Sequence, residues 1–156
     1  MSAAAAVSSV DIRELLPGAQ FSDSFSGLTD DTTLDARQAA ERMFSQRAPW
    51  ISALMTMRDA IVAPFGLKTA DMAKLAPDRV GIFPVISETP QRLVAGLDDS
   101  HQDFRVVVDV LPAGTQRRVT VTTIVKTHNR LGRIYLATIL PFHRLIVRAM
   151  LRQVAN

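Results

Sequence analysis

Two runs near the C-terminus constrain the fold most. Residues 104–111, FRVVVDVL, and 118–128, RVTVTTIVKTH, are dominated by Val, Thr and Ile, with PAGTQ in the link between them. β-Branched side chains suit a pleated strand, and Pro, Ala and Gly in the link are turn chemistry. The pair predicts an antiparallel hairpin. The C-terminal segment beyond it has another period. At 100° per residue, Leu131, Ile134, Tyr135, Thr138, Phe142, Leu145, Ile146 and Ala149 form one apolar stripe, widened by Ile139 and Met150. Arg133, Arg144 and Arg148 fall on the opposite side, with Arg152 at its edge. Residues 131–154 therefore predict one helix, about 35 Å long, with its stripe on the sheet. Pro141 lies on the polar side, where it bends a helix around whatever it packs on.

The segments before the hairpin supply the rest of the meander. QFSDSFSGL alternates, with Phe21, Asp23 and Phe25 on one face. TTLDARQAAERMFSQ places Thr32 and Asp35 at capping-box spacing, then Ala36, Ala39, Ala40, Met43 and Phe44 at helical spacing. A second helix begins with Pro49 in its first turn and ends at Pro64 and Gly66. VGIFPVIS contains Pro84 and predicts an edge strand or a bulge; RLVAGL comes after the turn ETP. The expected fold is α+β: a curved antiparallel sheet of five to seven strands gripping helix 131–154, with two short helices after the first strand. Residues 1–12 read as a flexible tail and 13–156 as one domain.

Composition removes several function classes. The chain has no cysteine, so disulfides, thiol catalysis and cysteine-ligated metals are excluded. No apolar run approaches the roughly 20 residues of a membrane span, and a cytoplasmic protein with no membrane insertion is expected. Charge is split: Asp109 is the last acid, and eight Lys or Arg come after it. Arg133, Arg144 and Arg148 are expected to face water or to pair with acids such as Asp35, Glu41 and Asp59. A lipid-facing role needs exposed apolar residues beside the arginines, and the apolar arc is expected to be used by the sheet. With one Trp and one Tyr the chain is poor in base-stacking side chains, so no nucleic-acid partner is expected.

Strand parity in a meander brings the turn DDSHQD and the segment KTHN to one end of the sheet. Asp98, Asp99, His101, Asp103, His128 and Asn129 should meet there. A carboxylate beside a His can act as a general base, and the same set could hold a metal; Asp, Ser and His are also ordinary turn formers, and Asn129 with Gly132 suits a strand-to-helix corner. His143 inside the apolar arc reads as a hydrogen-bonded core residue, and Asp23 between two Phe needs a partner if buried. Arg105 alternates against Phe104 and Val106, which places it on a solvent face beside Asp103 or Asp109. Arg58 sits among apolar neighbours and is placed to bridge to a carboxylate. No H-E-x-x-H, G-x-S-x-G or phosphate loop is present.

Three longer stretches, AERMFSQRAPW…LMTMRDAIVAPFGL, GIFPVISETPQRLVAGLDDSHQDFR and THNRLGRIYLATILPFHRLIVRAML, resemble the bacterial family known as domain of unknown function 2867, with small departures such as Asp59 and Gln102. The resemblance implies a fold grouping with the START and Bet v 1-like (SRPBCC, helix-grip) proteins and no assigned activity. Two functions stay open. One is a binding module for a small hydrophobic or amphipathic ligand, with Trp50 and Met55 of the short helices, Phe104, Val106 and Val121 of the sheet, and Tyr135, Phe142 and His143 of the last helix around it. The other is an enzyme of the cyclase, dehydratase or hydrolase kind, with His101, His128, Asp98 and Asp99 as catalytic groups. Neither requires a cofactor or a metal.

Overall fold

The computed structural model describes residues 4–5, 11–45, 78–80, 83–98 and 102–155, with only the backbone at positions 4, 5, 45, 79, 97, 131, 135, 139 and 155. The elements run β1 Ala4–Ala5, α1 Ile12–Leu15, β2 Phe21–Thr29, α2 Ala36–Ser45, β3 Arg79–Val80, β4 Phe83–Glu88, β5 Arg92–Asp98, β6 Gln102–Ala113, β7 Gln116–Thr127 and α3 Arg130–Arg152, ending in a 3₁₀ turn, Gln153–Ala155. The architecture is α+β. An open antiparallel sheet of five full strands is flanked by two-residue strands, in the order β1-β2-β7-β6-β5-β4-β3. The second short helix expected near residues 49–63 lies outside the described residues, as do Trp50, Met55, Arg58, Asp59, Asp99 and His101.

The Val/Thr hairpin forms as its composition predicts. β6 and β7 pair from Gln102↔Thr127 to Ala113↔Gln116, and Gly114 closes the two-residue turn with φ +64°, a left-handed conformation that glycine adopts without a Cβ penalty. Beside Pro84 in β4 the register slips between Val85 and Ser87, which is the irregularity a proline in a strand calls for. Helix α2 does use a capping box, but three residues later than expected. The Asp35 carboxylate accepts from the Gln38 N–H at 2.7 Å, and the Gln38 side-chain oxygen accepts from the Asp35 N–H at 3.1 Å. Ala36, Ala39, Ala40 and Met43 are then buried.

Two cores lie on opposite faces of the sheet. The larger sits on the side where Phe25, Leu93, Val106, Val108, Val121 and Val119 meet α2 and the C-terminal half of α3. The smaller has Val94, Val107 and Ile124 under Leu16, with Ile12 and Leu15 of α1 against them. The face that carries Arg105 is thus not simply a solvent face. Asp11 starts α1 by accepting from the Arg13 and Glu14 N–H groups, and this short segment covers what would otherwise be an exposed apolar row.

Helix α3 is bent by 58° between Gly132–Thr138 and Leu140–Arg152. Pro141 stands at that break and is exposed, as a proline on the outer side of a curved helix should be. Asn129 is its N-cap, its side chain accepting from the Gly132 N–H at 2.9 Å. Replacing it with Ala is expected to cost about 1 kcal/mol in chemical denaturation, whereas Asn129→Ser keeps the acceptor and stays close to the parent. At the other end of α3, Arg42 of α2 donates to the carbonyl of Val154 and to Asp31. Hydrogen bonds from Thr33, then from Arg42, hold the Asp31 carboxyl below its ordinary range. Among the described residues no single helix is long and apolar enough to cross a membrane; the two halves of α3 reach that length and composition only when joined across the bend.

The rotation of α3 differs from the expected stripe. Val147, Met150 and Leu151 are buried, with His143 and Ile146 half-buried beside them, while Ile134, Phe142 and Leu145 are 64%, 49% and 55% exposed. Phe142 therefore does not face the sheet. The helix is apolar around more than half its circumference, so a wheel alone offers two candidate inner faces, and contact with the larger core selects one.

Candidate functional site

On the face of the sheet that packs against α3, β2 places a carboxylate among apolar side chains. Asp23 stands between Phe21 and Phe25 on β2, opposite Thr123 of β7, which in turn faces Val106 of β6. Helix α3 brings His143 to it: Nε2 lies 3.4 Å from Asp23 Oδ1, and the two side chains are 16% and 15% exposed. That separation is long for a hydrogen bond. The second oxygen, Asp23 Oδ2, is buried and accepts from no described residue. An unmatched carboxylate oxygen away from water is costly. A second buried acceptor without a described donor, Gln102 Oε1, belongs by strand alternation to the face of Phe104 and Val106. In the tautomer that carries its hydrogen on Nε2, the imidazole points a donor at Asp23 and keeps Nδ1 as an acceptor.

The other polar group lies at one end of the sheet, on the face turned from α3. Asp98, Asp103 and Lys126 are direct cross-strand neighbours. His128 Nε2 is 3.0 Å from Asp103 Oδ1. Arg105 donates through Nη1 to Asp98 Oδ1 at 2.5 Å and to the Phe104 carbonyl at 2.9 Å. The expected pairing of Arg105 with Asp103 or Asp109 does not form; Asp103 is engaged by His128, and Asp109 is held by Arg92 at 2.6 and 3.1 Å. The reason Arg105 reaches Asp98 is Gly96, directly opposite it on β5. With no side chain there, the guanidinium lies across the neighbouring strand; a Cβ would sit 3.2 Å from Nη1.

The expected catalytic set is thus partly placed. Asp98 and His128 stand at the same end of the sheet, each already engaged by a neighbour, and Asp99 and His101 lie outside the described residues. Asn129 is a helix cap. No group of three or more His, Cys, Asp or Glu among the described residues could hold a metal ion. Of the expected ligand contacts, Val106 and Val121 are core residues, and Phe104 packs on Phe83 with ring centroids 5.1 Å apart. Phe142 faces outward and His143 faces Asp23; the Tyr135 side chain is not described.

A family model described as "Protein of unknown function (DUF2867)" matches residues 15–150. The chain belongs to this family. Comparison with curated proteins found no match. Among solved structures, protein Ms6760 from Mycobacterium smegmatis is similar at 8% identity and a TM-score of 0.33, over 86% of this chain and 88% of that one. In this DUF2867 chain the Asp23–His143 pair is the feature sequence reasoning did not assemble. Each residue stands out alone as a polar side chain on an apolar face, but 120 positions separate them, and only the rotation of α3 joins them.

Proposed function

We propose that this DUF2867 protein is a binding module for a small amphipathic ligand held between the concave face of the sheet and α3, in the manner of the SRPBCC helix-grip proteins. One observation carries the reading: the buried Asp23 Oδ2 has no donor among the described residues. A ligand hydroxyl or amine placed there would satisfy it, with the apolar part of the ligand along Phe21, Phe104 and the inner side of α3. The sheet with its bent C-terminal helix, and the second unmatched acceptor at Gln102, support the same arrangement. Bacterial origin goes with the family resemblance and is part of the proposal.

Mass spectrometry of compounds released from the denatured, freshly purified protein tests it. The expected compound is apolar over most of its length and carries a hydrogen-bond donor. Asp23→Asn keeps the shape but removes the charge, and its occupancy should fall about tenfold or more, the worth of one hydrogen bond to a charged acceptor. Equal occupancy in parent and variant would defeat the reading. A second reading, an enzyme of the cyclase, dehydratase or hydrolase kind, draws on the 3.0 Å contact of His128 with Asp103. It requires turnover of the identified compound that is lost in His128→Ala while binding persists.

A further inference from the structure

The outward face of α3 past its bend combines two kinds of side chain. Phe142 and Leu145 are about half exposed, and Arg144, Arg148 and Arg152 are exposed beside them. On the segment Leu140–Arg152 past the bend, helical spacing at 100° per residue puts the two apolar residues on one side of the outward arc and the arginines on the other. The inward arc is separate, made of His143, Val147, Met150 and Leu151. Of the acids expected to neutralise this stripe, the two that are described are engaged elsewhere. Asp35 caps α2, and Glu41 is held by Arg37 at 2.9 Å. Arg148 lies over the Phe25 ring at 5.3 Å, and Arg144 and Arg152 make no ion pair with a described residue.

We propose that this face docks on an anionic lipid bilayer, with Phe142 and Leu145 at the acyl-chain boundary and the arginines at the headgroup phosphates. The sequence argues against this only if the sheet uses the whole apolar arc, and the exposure of Phe142 and Leu145 removes that objection. An interfacial helix needs apolar and basic residues side by side on one exposed arc, and both are present here. Charge selects the occupant. A second copy on this face would set arginine against arginine, which like-charge repulsion disfavours. Nucleic acid would engage the arginines and leave the two apolar side chains unused. An anionic bilayer matches both components, and with no single described helix able to span, α3 lies on the membrane rather than through it.

The test is sedimentation of the full chain with vesicles of phosphatidylcholine alone and with about a third phosphatidylserine, at physiological salt. Binding is expected only to the anionic vesicles. Removing two charges in Arg144→Ala with Arg152→Ala should weaken it about 30-fold, since each basic residue near such a surface is worth about fivefold. Phe142→Ser with Leu145→Ser should weaken it about tenfold or more at unchanged charge. Circular dichroism and thermal unfolding of both double variants establish that they fold. The proposal is overturned if the parent does not sediment with anionic vesicles, if neutral vesicles bind equally, or if either folded variant binds like the parent. Self-association of the parent that disappears in the Phe142/Leu145 variant, without vesicle binding, would assign the face to a second copy instead.

Discussion

Gly96→Ala is expected to destabilise the protein by about 3 kcal/mol or more, placing it among the most damaging single-methyl additions. A Cβ built on Gly96 collides with the carbonyl oxygen of Phe104 and lies 3.0 Å from the Arg105 side chain. The first contact is with backbone of the paired strand, so no rotamer change relieves it; β5 and β6 must separate. The second displaces the guanidinium that reaches Asp98 across this gap. For a chain of 156 residues, that loss corresponds to a fall of roughly 10 °C in Tm. The comparison is Gly114→Ala. Gly114 sits in the β6–β7 turn with no described atom within 4 Å of its missing Cβ, so only its positive φ of 64° opposes the change, at about 1 kcal/mol. A Gly96→Ala protein that melts with the parent would show that the β5–β6 register is not the one described.

The second large effect is expected at Arg92. It faces Asp109 across β5 and β6 and binds it with two hydrogen bonds, Nε to Oδ1 at 2.6 Å and Nη2 to Oδ2 at 3.1 Å. The Asp109 side chain is only 5% exposed, while Arg92 is 38% exposed. The hydrogen bonds to Asp109 also raise the Arg92 pKa above its ordinary value, so the guanidinium stays charged throughout the working range. Arg92→Met keeps most of the apolar stem but leaves a buried carboxylate without its counter-charge. Losing the partner of a fully buried ion costs about 3–5 kcal/mol; the exposed side of Arg92 lets water take part of its place, so about 2–3 kcal/mol is expected. Urea denaturation of Arg92→Met, Asp109→Asn and the double variant closes a cycle. The double variant should be more stable than the sum of the single losses implies. Simple additivity would mean that the two side chains are not coupled.

These two sites show where sequence reading succeeds and where it stops. The long Val/Thr strands, the turn at Gly114, the irregularity next to Pro84 and the Asn129 cap can be read along the chain. Each depends on local properties: side-chain branching, permitted φ, a missing N–H, a short polar side chain next to free helical N–H groups. Strand parity likewise puts Asp98, Asp103 and His128 at one end of the sheet, because a meander of known strand order leaves little choice. The partners of Arg105 are a different matter. Four acids lie within seven positions of it, and what decides in favour of Asp98 is the empty place opposite, at Gly96, together with the claim of Arg92 on Asp109. Neither can be found without the register.

Helix α3 sets the sharper limit. Its bend is legible from Pro141, but its rotation is not. Apolar side chains occupy more than half of its circumference, so periodicity identifies a helix without saying which apolar arc turns inward. Contact with the larger core chose Val147, Met150 and Leu151, and this single rotation carried His143 onto Asp23 and left Phe142 and Leu145 in solvent. The sequence by itself determined the element order, the antiparallel sheet and the polar end of that sheet, because these depend on local conformational preference and the pleat. Only the tertiary structure decided which acid meets which base and which face of α3 is free, because those depend on the relative rotation of elements far apart in the chain, where burying one apolar arc necessarily exposes the other.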